Sequence, residues 1–127
     1  MDQLERDIYQ FLKDRNWHEL RPGDVAKSIM IEGAELLELF QWDNPTLAEV
    51  KVDAERLERI KRELADVMIF ALELAALLDL DAETIIRAKL AQSAKKYPAE
   101  LVRGHTGEPG TEALYWQIKR DHRKHSS

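Results

Sequence analysis

The chain has 127 residues, 44% hydrophobic and 34% charged, with a formal net charge of −5. That is one domain's worth, enough to bury roughly two-thirds of its unfolded surface. The acidic balance argues against a general nucleic-acid or anionic-membrane binder, since both need a basic footprint, but it leaves room for a nucleotide held through metal ions. With no cysteine, disulfides, thiolate zinc sites and a cysteine nucleophile are excluded.

The amino terminus, Met1-Asp2-Gln3-Leu4-Glu5, begins with charge and lacks the apolar run of a signal peptide. Residues 2–16 read as an amphipathic helix with Leu4, Ile8, Phe11 and Leu12 on one side. Trp17 to Gly23 breaks it, with Pro22-Gly23 as punctuation. Asp24 is the expected N-cap of a second helix running to about Trp42, and Asp43-Asn44-Pro45-Thr46 is a turn. Thr46 can cap the next segment, a short helix and then a long one ending near Leu78. Within it Glu55 to Arg62 is charged, whereas Val67 to Leu78 is apolar on nearly all sides apart from Glu73. A helix apolar all round is buried all round, so the pattern predicts a subunit interface. Asp81 is the expected cap of a last main helix ending at Tyr97, before Pro98. Gly104 to Gly110 reads as a linker and Glu112 to Ser127 as a polar tail. One helical turn or two is expected in that tail, around Leu114, Tyr115, Trp116 and Ile118, and no chemistry is assigned to it. No stretch approaches the ~18 uncharged apolar residues of a membrane span, and the expected compartment is the cytoplasm. The fold class is therefore all-α, a four-helix bundle that oligomerises through its helices.

Two acidic pairs carry the chemistry: Glu32 with Glu35, and Glu63 with Asp66, each spaced i,i+3 on one side of a helix. At about 100° per residue, Glu32 falls inside the apolar sector of Val25, Ile29, Leu36, Leu37, Leu39 and Phe40. Glu35 lies at the border of that sector. Glu63 falls between Phe70 and Leu74, and Asp66 beside Leu77. Burying an unpaired carboxylate costs several kcal/mol, so such groups take a proton, a cation or a metal. On spacing alone, surface salt bridging in a chain with 24 acids is the better explanation; the core-facing geometry brings a metal level with it. Di-iron bundles place a Glu three residues before a ligating His. None of His18, His105, His122 or His125 is so placed. An oxygen-only set suits Mg²⁺ or Mn²⁺, and Mg²⁺ completes its shell with waters and substrate phosphates.

Lys89 and Lys96, i,i+7 near the end of the last main helix, either complement its dipole or answer phosphate charge. Trp42 and Phe40 are either core or, for the Trp42 indole, a surface on which a nucleobase stacks. Trp17 and the histidines read as structural.

The run Ser28-Ile29-Met30-Ile31-Glu32-Gly33-Ala34-Glu35-Leu36-Leu37-Glu38-Leu39-Phe40-Gln41-Trp42 resembles the first motif of the MazG-like all-α nucleotide pyrophosphohydrolases. Glu63-Leu64-Ala65-Asp66-Val67-Met68-Ile69-Phe70 is similar to the second. Lys95-Lys96-Tyr97-Pro98, followed by Arg103-Gly104, resembles the closing segment of the short dCTP pyrophosphatase branch. The resemblance runs from about Phe11 to Gly104. It implies a catalytic domain over residues 1–103, a linker and tail over 104–127, and a homodimer or homotetramer. It implies Mg²⁺-dependent cleavage of nucleoside triphosphates to the monophosphate and pyrophosphate, with Glu32, Glu35, Glu63 and Asp66 holding the metal. Glu35 or Glu38 is the implied base, and Trp42, Lys89, Lys96 and Tyr97 are the implied substrate residues, with Trp17 assisting. Three positions depart from the branch, all in the expected base-reading region. Leu20-Arg21-Pro22 stands where a histidine-containing stretch is usual, Ser93 where asparagine is, and Phe70 where tyrosine often is. A sibling activity on dUTP or phosphoribosyl-ATP, and a non-catalytic helical interaction protein, are the alternatives.

Overall fold

The computed structural model describes residues 2–102 and 111–125, with the side chains of the last helix described for 116–123. The expected linker, and Arg103-Gly104 of the closing segment, lie outside the described residues. All regular structure among the described residues is helical, in two compact units, Met1–Ala82 and Glu83–Ser127.

The first unit holds α1 (Gln3–Asp14), α2 (Pro22–Glu38), α3 (Leu47–Lys51) and α4 (Ala54–Leu77). α4 is its axis: α2 lies most extensively along it, and α1 and α3 pack on it as well. α1 starts where Asp2 accepts from the Glu5 amide at 2.9 Å. It ends in a Schellman motif, with Asn16 left-handed at φ 59. There the Trp17 amide donates to the Leu12 carbonyl at 2.8 Å and the Asn16 amide to Lys13 at 3.1 Å. α4 closes the same way. Asp79 is at φ 56, the Leu80 amide donates to Ala75 at 2.9 Å, and the Asp79 amide donates to Ala76 at 3.2 Å. Thr46 caps α3 and Asp53 caps α4 through the Glu49 and Arg56 amides.

α2 corrects the expected boundaries at both ends. It begins at Pro22, with Arg21 preceding it and no side-chain cap, so Asp24 lies inside the first turn. Proline fits there because its missing N–H would be unpaired anyway and its φ is already helical. At the other end the helix stops at Glu38. The amides of Leu39, Phe40 and Gln41 each reach back only three residues, to Leu36, Leu37 and Glu38, the tightened turn common at helix ends. Arg56 holds the chain there. Its Nη2 donates to the Leu39 carbonyl at 2.8 Å and to Asp43 Oδ1 at 2.6 Å, and its Nη1 donates to Asp43 Oδ2 at 2.9 Å. This hydrogen-bonded pairing holds the Asp43 carboxyl below the ordinary carboxylate range.

The core of this unit is small: Ile8, Leu12, Val25, Ala75, Ala76 and Ala82 are buried. Within the single chain, Val67 to Leu78, the segment read as a subunit interface, leaves Met68, Ile69 and Leu78 exposed, while Glu73, its one charged residue, is buried at 5%. Burial pushes the Glu73 carboxyl above its ordinary value.

The second unit is built from α5 (Ala82–Lys96), whose first residue falls in the first unit, α6 (Ala99–Val102) and α7 (Thr111–His125). α5 stops at Lys96 rather than Tyr97, although the Tyr97 amide still donates to Ser93 at 2.8 Å. The polar tail forms a 15-residue helix rather than a turn or two, with Ile118 buried.

Candidate active site

α2 and α4 pack along each other, and their packing brings the two acidic pairs together. Single ligand atoms from Glu32, Glu63 and Asp66 lie within 4.8 Å of one another. Glu32 and Glu63 are half-buried and Asp66 is exposed. Glu35 is also exposed, yet its carboxyl contacts both Glu32 and Glu63. Of the three acids expected to face the core, Glu32 and Glu63 are half-buried and Asp66 is not; Glu35, expected at the border of its sector, is exposed. Glu35 and Asp66 sit at the rim, because the small core leaves much of this surface open.

The electrostatics follow from this crowding. Glu32 is held above the ordinary carboxylate value first by its contact with Glu35, then by burial and by the charges of Glu35, Asp66 and Glu63. Burial leads for Glu63, followed by the charge and contact of Glu35. Two carboxyls in contact need a proton or a cation between them. In addition, Glu32 Oε2 and Glu63 Oε2 are buried with no hydrogen-bond partner. Four carboxylates, two unsatisfied buried oxygens and mutual repulsion fit a hard divalent cation.

Trp42 is 90% exposed and lies beyond α2, not on its last turn as expected, since the helix has already ended at Glu38. Its indole lines an open cavity of about 420 Å³ with Glu38, Gln41, Asp43, Arg56 and Arg59. Glu38 is therefore on the Trp42 side. Trp17 is set edge-on to Phe11, with ring centroids 6.2 Å apart, and Arg15 stacks over the same Phe11 ring. Phe70 is half-buried on α4. In the second unit, Lys89, Ser93 and Lys96 line a cavity of about 470 Å³, and the Lys96 ammonium lies 5.4 Å from the Tyr97 ring centroid.

Sequence reasoning does not single out Arg56 and Arg59, although both sit in the charged segment Glu55 to Arg62. The only signal for Arg56 is a turn acid thirteen residues earlier, outside any helical spacing. Lys119, His122 and Arg123, which share the second cavity, escape it too, because their segment reads as a polar tail.

Fold and site together define an all-α protein in which two packed helices assemble a carboxylate centre suited to a hard cation. The chain belongs to the MazG-like family, whose model matches residues 27–105. It is 31% identical over 108 residues to dCTP pyrophosphatase 1 of Rattus norvegicus and 27% identical over 106 residues to that of Mus musculus. Each alignment covers 82% of this chain and 62% of the relative. The chain thus spans under two-thirds of the length of these relatives. Among solved structures, a pyrophosphatase from Archaeoglobus fulgidus DSM 4304 superposes with a TM-score of 0.65 at 33% identity. That match covers 76% of this chain and 90% of the other.

Proposed function

We propose that this protein hydrolyses nucleoside triphosphates to the monophosphate and pyrophosphate in a Mg²⁺-dependent reaction, with Mn²⁺ able to substitute. It favours deoxynucleotides such as dCTP or modified dCTP and acts in the cytoplasm to clear surplus or non-canonical nucleotides. The observation that carries this reading is the convergence of Glu32, Glu63 and Asp66 from two helices, with Glu35 in contact. Family membership and the pyrophosphatase relatives support it.

A bound Mg²⁺ ion supplies charge neutralisation for the phosphates and acidity to an attacking water. Glu32, Glu63, Asp66 and Glu35 would hold it. As the water oxygen bonds to the α-phosphorus and the bond to the bridging oxygen breaks, a carboxylate accepts the water's proton. Glu35 is better placed for this than Glu38, since Glu35 touches the cluster and Glu38 lines the cavity of Trp42. Trp42 offers an accessible indole face for the base. Lys89 and Lys96 answer the charge on the leaving pyrophosphate. Trp17, Phe70, Ser93 and Tyr97 complete the substrate residues; these assignments rest on motif position.

The test is Glu63→Gln and Asp66→Asn. Each variant keeps its far-UV circular dichroism and loses pyrophosphate release to background. Wild-type turnover in either variant removes the metal assignment.

A further inference from the structure

We infer that Arg56 is a positioning residue: it fixes the segment that carries Trp42 before a nucleotide arrives. The Trp42 indole is 90% exposed, so packing does little to hold it, and α2 has already ended at Glu38. Its place depends on the backbone of residues 39–43. Arg56 grips that stretch on both sides of the indole. Nη2 donates to the Leu39 carbonyl at 2.8 Å and to Asp43 Oδ1 at 2.6 Å, while Nη1 donates to Asp43 Oδ2 at 2.9 Å. The guanidinium carbon also lies 5.3 Å from the Phe40 ring centroid, within cation–π reach. The Arg56 side chain is only 16% exposed, and its forked contact with the carboxylate fixes orientation as well as distance.

The same grip ties Trp42 to the carboxylate centre. Asp53 caps α4 by accepting from the Arg56 amide at 3.1 Å, so the turn that bears Arg56 is itself fixed. Arg56 and Glu63 are spaced i,i+7, on one side of α4, a rise of about 10 Å. One helix thus sets the separation between the indole and the acids Glu63 and Asp66. A planar, forked cation binds a carbonyl and both oxygens of a carboxylate at once, and a lysine would lose one or the other. The inference rests on the proposed role of Trp42 as the surface for the base and adds the residue that keeps this surface in place. The base lies away from the reacting phosphorus, so stacking is equal in the bound substrate and the transition state. Loosening it therefore raises KM and leaves kcat alone. A released indole spends only part of its time in the competent place, and apparent affinity falls by that fraction.

The test has a spectroscopic and a kinetic arm. The full chain is labelled with 5-fluorotryptophan, and the Trp42 line is assigned by its loss in Trp42→Phe. Without nucleotide, the transverse relaxation rate of Trp42 should fall in Arg56→Gln as the segment gains fast motion, while Trp17 and Trp116 in the same sample stay as in wild type. Asp43→Asn keeps the side chain's size, removes the pairing charge and should move Trp42 in the same direction. In the pyrophosphate assay Arg56→Gln should raise KM about tenfold, the scale of one base–aromatic stack, with kcat little changed. Lys61→Gln, which breaks an exposed pair with Glu58 on the same helix, should leave both constants alone. In a Trp42→Ala background, Arg56→Gln should add nothing to KM, because the two residues act as one unit. Unaltered Trp42 relaxation in both variants, or in Asp43→Asn if Arg56→Gln does not fold, overturns the inference whatever the kinetics. So does the same KM rise persisting in Trp42→Ala, or a loss of kcat with KM unmoved. Absence of hydrolysis by the wild type, with Trp42 still released by Arg56→Gln, overturns the proposed function alone.

Discussion

Glu32 and Glu63 pay for their position. Crowding and burial raise both above the ordinary carboxylate value, and burial does the same to Glu73. The sign for stability comes from proton counting. When a folded-state acid has a raised pKa, the unfolded chain releases its proton first as pH climbs, so the folded state loses ground across that window. The metal-free protein should therefore melt at progressively lower temperature as pH rises from the ordinary carboxylate range through the raised values. Mg²⁺ should recover the part due to Glu32 and Glu63, with the larger gain at higher pH, and leave the part due to Glu73. Differential scanning calorimetry with EDTA or Mg²⁺ across that range checks this; a flat profile with no Mg²⁺ shift contradicts it. The acids themselves are legible in the sequence, because i,i+3 spacing fixes a shared side. Their unequal exposure is not. Helical periodicity says which side a residue faces, not how much neighbouring structure covers that side.

At the scale of elements, α3 is legible from local chemistry, since Thr46 caps it through its own side chain as expected; Asp53 caps α4 in the same way, a cap not singled out from the sequence. The misses have long-range or backbone causes. α2 ends early where Arg56, from the start of α4, binds the Leu39 carbonyl and Asp43, a contact that spans loop and helix. The ends of α1 and α4 fall within two residues of the expected ones and close on left-handed Asn16 and Asp79 rather than on the more familiar glycine. α7 reads as a tail in the sequence because charge masks its periodicity. Gly33 offers a direct test of α2. It lies between Glu32 and Ala34 in mid-helix, and a methyl group added there meets no atom within 4 Å. Gly33→Ala should stabilise the metal-free chain by about 0.5–1 kcal/mol, read as a rise in the urea midpoint. A fall would mean that another surface packs against that position.

Seen whole, the chain leaves too much apolar surface open for a helical bundle. Val25 is the sole buried residue of α2, while Met30 and Leu37, one side of the same helix, are 74% and 68% exposed. Leu64, Met68 and Ile69 of α4 are exposed as well. Exposed large apolar side chains of this kind are common at interfaces, in keeping with the homodimer or homotetramer that the family resemblance implies. Sedimentation velocity should find an oligomer that Leu37→Glu shifts toward the monomer; a monomeric wild type contradicts the assembly. No helix among the described residues is long and apolar enough to cross a membrane. The central claim, that two packed helices assemble a metal-dependent pyrophosphohydrolase, is tested most directly by pyrophosphate release. The panel is ribo- and deoxynucleoside triphosphates, modified cytosines included, each assayed with Mg²⁺ and with EDTA. Mg²⁺-dependent release, strongest with a deoxynucleotide and abolished by EDTA, is expected. Silence across the panel, or release indifferent to EDTA, would contradict it.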